Sequence, residues 1–317
     1  MRSLAKYLIV RLILGISLLT LGYQTALAQL VTESFGSGAN AFTMQFVTIG
    51  NPGNAADTTG SPNPVGSVAY TYNIGKYEVS RDMITKANSA GSLGITLEDM
   101  TILGGNGVNR PATGVSWYEA ATYVNWLNTS TGGTAAYKFV GGTFQLWSAG
   151  DAGYNANNMF RNSLAKYVIA SRDEWYKAAY GNLNGTWNNY ANGSDSAPAA
   201  IASGTSGAVY NGQRGPADIT KAGQLSPYGT MGQGGNVFEW VETAFDGSNN
   251  TAGENREMRG GSFDNNSGTL LASFRYDGTS LESTIPHMIG FRVASVPEPS
   301  SLSLLALGGL ALVRRRK

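Results

Sequence analysis

Residues 181–227 are rich in Gly, Asn, Ser and Ala and carry neither the helical nor the strand period of apolar residues. An irregular run of that length is uncommon inside a compact domain unless the fold is built around long loops. The regular elements around it are correspondingly short. Residues 29–41 read as a polar leader, 42–49 alternate as a strand, 51–64 form a Gly/Pro/Asn/Asp loop, and 68–79 alternate again as a second strand. Three serines then sit at helix starts. Ser80 precedes RDMITKAN, while Ser116 with Glu119, and Ser171 with Glu174, have the spacing of a capping box. Behind Ser116, the residues Trp117, Ala120, Ala121, Val124 and Leu127 recur on one helix face. Short helices, scattered strands and long loops, with no internal repeat, point to a single α+β domain over 42–295.

Both ends of the chain carry targeting grammar. Arg2, Lys6 and Arg11 precede an apolar run at 12–21 and the small-x-small sequence Ala26-Leu27-Ala28. This is the order of a secretory signal peptide over residues 1–28, cleaved before Gln29 by signal peptidase. The apolar run is shorter than the roughly 20 residues a spanning helix needs. At the other end, Pro297-Glu298-Pro299 is a stiff extended segment, followed by an apolar stretch to Val313 and the basic cluster Arg314, Arg315, Arg316 and Lys317. Residues 296–317 resemble the PEP-CTERM sorting signal that exosortases recognise and cleave in bacterial envelopes. That resemblance implies transient membrane contact through the tail and display on the cell surface, or in the extracellular matrix, of a bacterium with an outer membrane.

Of 22 basic residues, seven lie in these two end segments, leaving 15 against 21 acidic ones in the rest of the chain with Glu298 counted, a net charge near −6. The mildly acidic body argues against nucleic acid as a partner. There is no cysteine and one histidine, His287. Thiolate metal sites, cysteine nucleophiles and histidine-rich metal sites are therefore excluded. A Ser-His-Asp triad would have to use His287, which follows Pro286 in a loop, and no serine elbow stands out.

Five motifs follow one another along the body: YEVSRDMI (77–84), PATGVSWYEAATYVNWLN (111–128), IASRDEWYKAAYG (169–181), GQGGNVFEWV (232–241), and the pair MRGGSF (258–263) and GFRVA (290–294). In this order they resemble the formylglycine-generating enzyme, or sulfatase-modifying-factor, family. The resemblance implies a variant of the C-type-lectin-like fold, α+β with little regular secondary structure. It implies no transfer of the family's copper chemistry, because the two copper-binding cysteines of catalytic members fall on Asn265 and Leu270 here. Nor does it carry over the iron-dependent sulfoxide synthase activity, whose histidines come largely from an additional domain.

Calcium sites are also implied by the resemblance. One matches Glu239 with the carbonyls of Gly235 and Val237, but the side-chain ligand seven residues upstream is Gly232. The other falls near Ala208 and Lys221, neither of which supplies the expected oxygen. Calcium needs several oxygen ligands, so both sites read as degraded, with low calcium affinity. Glu239 has a second reading, as a buried carboxylate that pins loops. Trp147, Tyr154, Trp187, Tyr190, Tyr210 and Tyr228 either line a glycan or peptide groove or fill the core of a loop-rich fold. The expectation is an exported, non-catalytic binding or structural module with no cofactor. The alternative is a metal-dependent oxidoreductase of the formylglycine-generating and nonheme iron superfamily.

Overall fold

A computed structural model describes residues 29–278 and 286–296. The segment read as a signal peptide, residues 1–28, and the tail from Pro297 onward lie outside the described residues. Eleven strands and three helices are present among them: β1 (Leu30–Phe35), β2 (Phe42–Ile49), β3 (Tyr72–Gly75), α1 (Arg81–Gly91), α2 (Trp117–Ser130), β4 (Lys138–Val140), β5 (Thr143–Gln145), β6 (Tyr167–Ile169), α3 (Arg172–Tyr180), β7 (Phe238–Ala244), β8 (Arg256–Arg259), β9 (Tyr276–Gly278), β10 (Ile289–Phe291) and β11 (Val293–Ser295). They form a five-stranded antiparallel sheet ordered β1-β2-β3-β11-β6, a four-stranded sheet ordered β10-β7-β8-β9, and the β4-β5 hairpin.

Each anticipated helix start is built as its sequence requires. Ser80 accepts the Met83 amide; Ser116 and Ser171 close full capping boxes with Glu119 and Glu174. Caps of this kind stabilise a helix by about 1 kcal/mol each. The apolar stripe on α2 is wholly buried. Its first residue, Trp117, donates its indole N–H to the Val241 carbonyl (3.1 Å), and Trp240 on β7 returns the bond to Val115 (2.9 Å). Two reciprocal indole bonds thus dock the start of α2 onto the smaller sheet.

Two segments differ from the sequence reading. Residues 29–41, read as a leader, contain β1, which pairs with β2 along its whole length from Leu30↔Val47 to Phe35↔Phe42. Its exposed Thr32 and Ser34 suit an edge strand with one face in water, while on the other face Glu33 accepts from Lys166 and Tyr167 and Phe35 packs against Phe42 and Tyr167. The second strand is confined to Tyr72–Gly75 rather than 68–79. A Cβ at Gly75 would lie 3.0 Å from the Tyr77 carbonyl, because the chain turns sharply there and carries Glu78 inward to full burial.

The core is one large aromatic-rich cluster spanning both sheets. It includes a cation: Arg256 on β8 is fully buried, with its guanidinium carbon 4.1 Å from the Phe160 centroid and 4.5 Å from that of Trp117. Burial pushes its pKa down to about 10. The ring faces and the Glu254 and Ala252 carbonyls receive the charge in place of a carboxylate. No helix among the described residues is long and apolar enough to cross a membrane.

Candidate functional site

Only Arg292 separates β10, in the smaller sheet, from β11, in the larger one. A residue at such a crossing faces both layers, and the side chain placed there is a fully buried guanidinium. Its Nε and Nη2 grip both oxygens of Glu239 on β7 at 2.6 and 2.5 Å. Nη1 donates to the Gly75 carbonyl at 2.8 Å and Nη2 to that of Met231 at 2.9 Å. Trp175 on α3 adds its indole N–H to Glu239 Oε2 at 2.7 Å. One planar fork therefore ties β7, β3 and the 231–235 loop to the sheet crossing.

Beside this pair lies Glu78, 1% exposed, from the YEVS motif. Its Oε2 accepts from Asn236 Nδ2 (2.7 Å), while Oε1 has no partner among the described residues. Burial first, and then the neighbouring Glu239, push its pKa well above the ordinary carboxylate range. Asn236 sits in the left-handed region at φ 62°, which Asn tolerates better than most residues. From there its Oδ1 takes the Ala217 amide, and its backbone bonds Val209 and Phe263. Gly235 precedes it because a Cβ there would lie 2.5 Å from the Val209 carbonyl.

Of the calcium ligands proposed from sequence, the Glu239 side chain is already committed. Both Glu239 oxygens face Arg292, which supplies the positive charge a metal ion would bring. Gly232, the gap in the implied ligand set, is filled from elsewhere: a Cβ there would come within 3.1 Å of Glu78 Oε2. At the second site, Ala208 and the end of the Ile219–Lys221 turn are neighbours through backbone bridges at Gly204–Ala222 and Ala208–Gly223. Their side chains are a methyl and an ammonium. Among the described residues no group of three or more His, Asp or Glu converges.

The two residues that the resemblance sets at the copper positions both have structural partners. Asn265 Oδ1 accepts from the Ser262 amide (3.0 Å) and hydroxyl (2.7 Å), closing the turn after Gly261, and its carbonyl accepts the Asn211 amide. Leu270 is 1% exposed and packs with Tyr190, Ala208 and Tyr210. The cleft beside it, lined also by Asn192 and Gln233, has a volume of about 10 Å³, room for about one water. Neither side chain offers copper a soft donor, so the residues present do not fit the metal.

Several expectations resolve into the core. Tyr190, Tyr210 and Tyr228 are buried, Trp187 packs on Tyr176, and Trp147 is tied by its indole to the Ala136 carbonyl. Tyr154 is half-buried. His287 lies against the Phe263 ring, and the nearby Ser262 hydroxyl is spent on Asn265.

A second buried network was invisible from spacing alone. Glu174, besides closing its capping box, holds Arg161 at 2.9 Å through both oxygens, and Arg161 Nε reaches Glu242 at 2.7 Å. Burial would raise Glu174, but Arg161 and the bonds from Tyr70 and Ser171 hold it down at about 2. Lys177, one turn along α3, donates to the Asn51 carbonyl, and burial lowers its pKa to about 8. The only hint for either was the density of charge in the SRDEWYK motif.

Among solved structures the fold is similar to Treponema denticola variable protein 1 (TM-score 0.60, 20% identity, covering 84% of this chain and 99% of that one). It is also similar to CarF (0.57, 18%, 80% and 98%) and to PvdO from Pseudomonas aeruginosa (0.53, 15%, 84% and 98%). At these identities the likeness shows the fold, a C-type-lectin-like variant, and nothing more. No curated protein matches the sequence. Residues 295–317 match the PEP-CTERM protein-sorting motif, which marks an exported chain processed by an exosortase. Residues 40–296 match the sulfatase-modifying factor enzyme 1-like domain, spanning every element from β2 to β11, and the chain belongs to that family.

Proposed function

We propose that this protein is a non-catalytic member of its family, displayed on the envelope of a bacterium with an outer membrane and acting as a binding or structural module. The observation that carries this reading is Leu270, a buried apolar plug at the position of a copper thiolate, beside a cleft with room for about one water. A substrate peptide would have to displace Leu270 and the Tyr190–Tyr210 cluster to reach that point. Asn265 supports the same reading, because its side chain closes a turn that positions the Gly260-Gly261 backbone. The sorting motif gives the module a reason to be exported, since exosortase processing delivers it where a ligand of the envelope or matrix is met.

The test is direct. The purified protein, offered copper and a sulfatase-type cysteine peptide, should retain no stoichiometric metal by elemental analysis and produce no formylglycine by peptide mass. Copper held at one equivalent together with formylglycine in the product would overturn the non-catalytic reading in favour of an oxidoreductase.

A further inference from the structure

An open groove of about 360 Å³ is lined by Arg110, Ser203, Gln213, Arg214 and Asp218 among others. It lies beside the Asn265 turn: Gln213 donates its amide to the Phe263 carbonyl (2.9 Å), and Asn211 donates to that of Asn265. Its walls are held rigidly. Ala217 is bonded to Asn236 Oδ1 at 2.7 Å, and Ile219 to the Asn109 carbonyl at 2.9 Å, so the groove is anchored to the same hub as the sheet crossing.

Its chemistry is unlike the rest of a body with a net charge near −6. Arg110 donates one N–H to the Pro216 carbonyl and lies over Gly104, where a Cβ would come within 2.9 Å of Nη1. That leaves most of its five N–H groups for a ligand. Arg214 is exposed, and no ion pair joins Arg110, Arg214 or Asp218 to another described residue. The Asp218 carboxylate makes no capping bond, and Gln213 Nε2 is spent on Tyr210, which leaves its oxygen as an acceptor. No aromatic residue lines the groove.

We propose that this groove binds an acidic saccharide, a polyhydroxylated ring bearing a carboxylate. The two guanidinium groups match a carboxylate. Asp218, Ser203 and Gln213 supply the acceptors that sugar hydroxyls need, and Asp218 disfavours a dianion such as phosphate. Without an aromatic platform the groove has no stacking surface for a neutral sugar or a nucleobase. The assignment rests on the binding-module reading, yet its test is separate: formylglycine formation would end that reading and leave the titration below unaffected.

The exported protein is titrated calorimetrically with oligogalacturonate and with its fully methyl-esterified form of equal length. Binding of the acid, at least tenfold tighter than the ester, is expected. Arg214→Gln should weaken it roughly ten- to hundredfold, the loss of a charge-assisted bond, with an unchanged melting curve because the side chain is exposed. Arg110→Gln should weaken it too. Equal binding of acid and ester, no binding of either, or unchanged binding by Arg214→Gln overturns the proposal. Displacement of the saccharide by inorganic phosphate at matched concentration also overturns it, by reducing the groove to a general oxyanion site.

Discussion

The sheet crossing and the turn after Gly261 are both written in recognisable family motifs, yet they have been kept for different reasons. At the crossing, Arg292 and Glu239 retain a bidentate pair with carbonyl and indole partners on every side. At the turn, Gly260, Gly261 and Ser262 keep their places while Asn265 and Leu270 stand where thiolates would be needed. The glycines serve the backbone: a Cβ on Gly260 would meet the Gln233 carbonyl at 2.7 Å. The Arg292–Glu239 motif holds two layers together, so removing it would unmake the fold that presents the loops.

The comparison is broken most severely at Arg292. Arg292→Met leaves the Glu239 carboxyl buried without its cation, at a cost of about 3–5 kcal/mol, read from denaturant unfolding. The double variant Arg292→Met with Glu239→Gln should lose clearly less than the sum of the single variants. If the losses simply add, the pair is not the staple described here.

Glu78 sharpens the same region by pH. Burial first, and then Glu239, raise its carboxyl in the fold well above the ordinary 4.5 at which the unfolded chain titrates. Below 4.5 both states are protonated and the group is neutral to stability. Above it the folded state holds the extra proton, so stability falls by about 1.4 kcal/mol per pH unit until the folded group ionises. Glu78→Gln removes this slope, and the variant should gain over the wild type as pH rises above 4.5 and match it near pH 4. Glu174 acts in the opposite sense, its stabilisation being present above 4.5 and lost as pH falls towards about 2. Parallel melting curves at the two ends of the range separate them.

Calcium gives the smallest effect. Gly232→Asp restores the missing side-chain oxygen, but at φ +82° and with its Cβ within 3.1 Å of Glu78 Oε2. The substitution should destabilise the metal-free protein by about 1–3 kcal/mol, part of which calcium returns. For the wild type, calcium at its own dissociation constant stabilises by only about 0.4 kcal/mol, a shift of a degree or two against chelator. A large shift in the wild type would show that Glu239 can exchange Arg292 for a metal ion.

Local chemistry was legible in the sequence. Ser80, Ser116 and Ser171 cap the helices their spacing announced, and the stripe from Trp117 to Leu127 is the buried face of α2. Such features depend on neighbours within four residues, where the chain itself sets the geometry. The family resemblance sets Asn265 and Leu270 at the copper positions, and neither side chain supplies a thiolate. What the sequence left open was every partner chosen across a distance. That β1 is a strand depends on β2 lying beside it, and Glu78 is aimed at Gly232 only because the chain turns at Gly75. The partner of Glu239 arrives from 53 residues away, and that of Glu78 from 158. Burial decides which acids stay charged and which keep their proton, and burial is a property of the packed layers that no local spacing encodes.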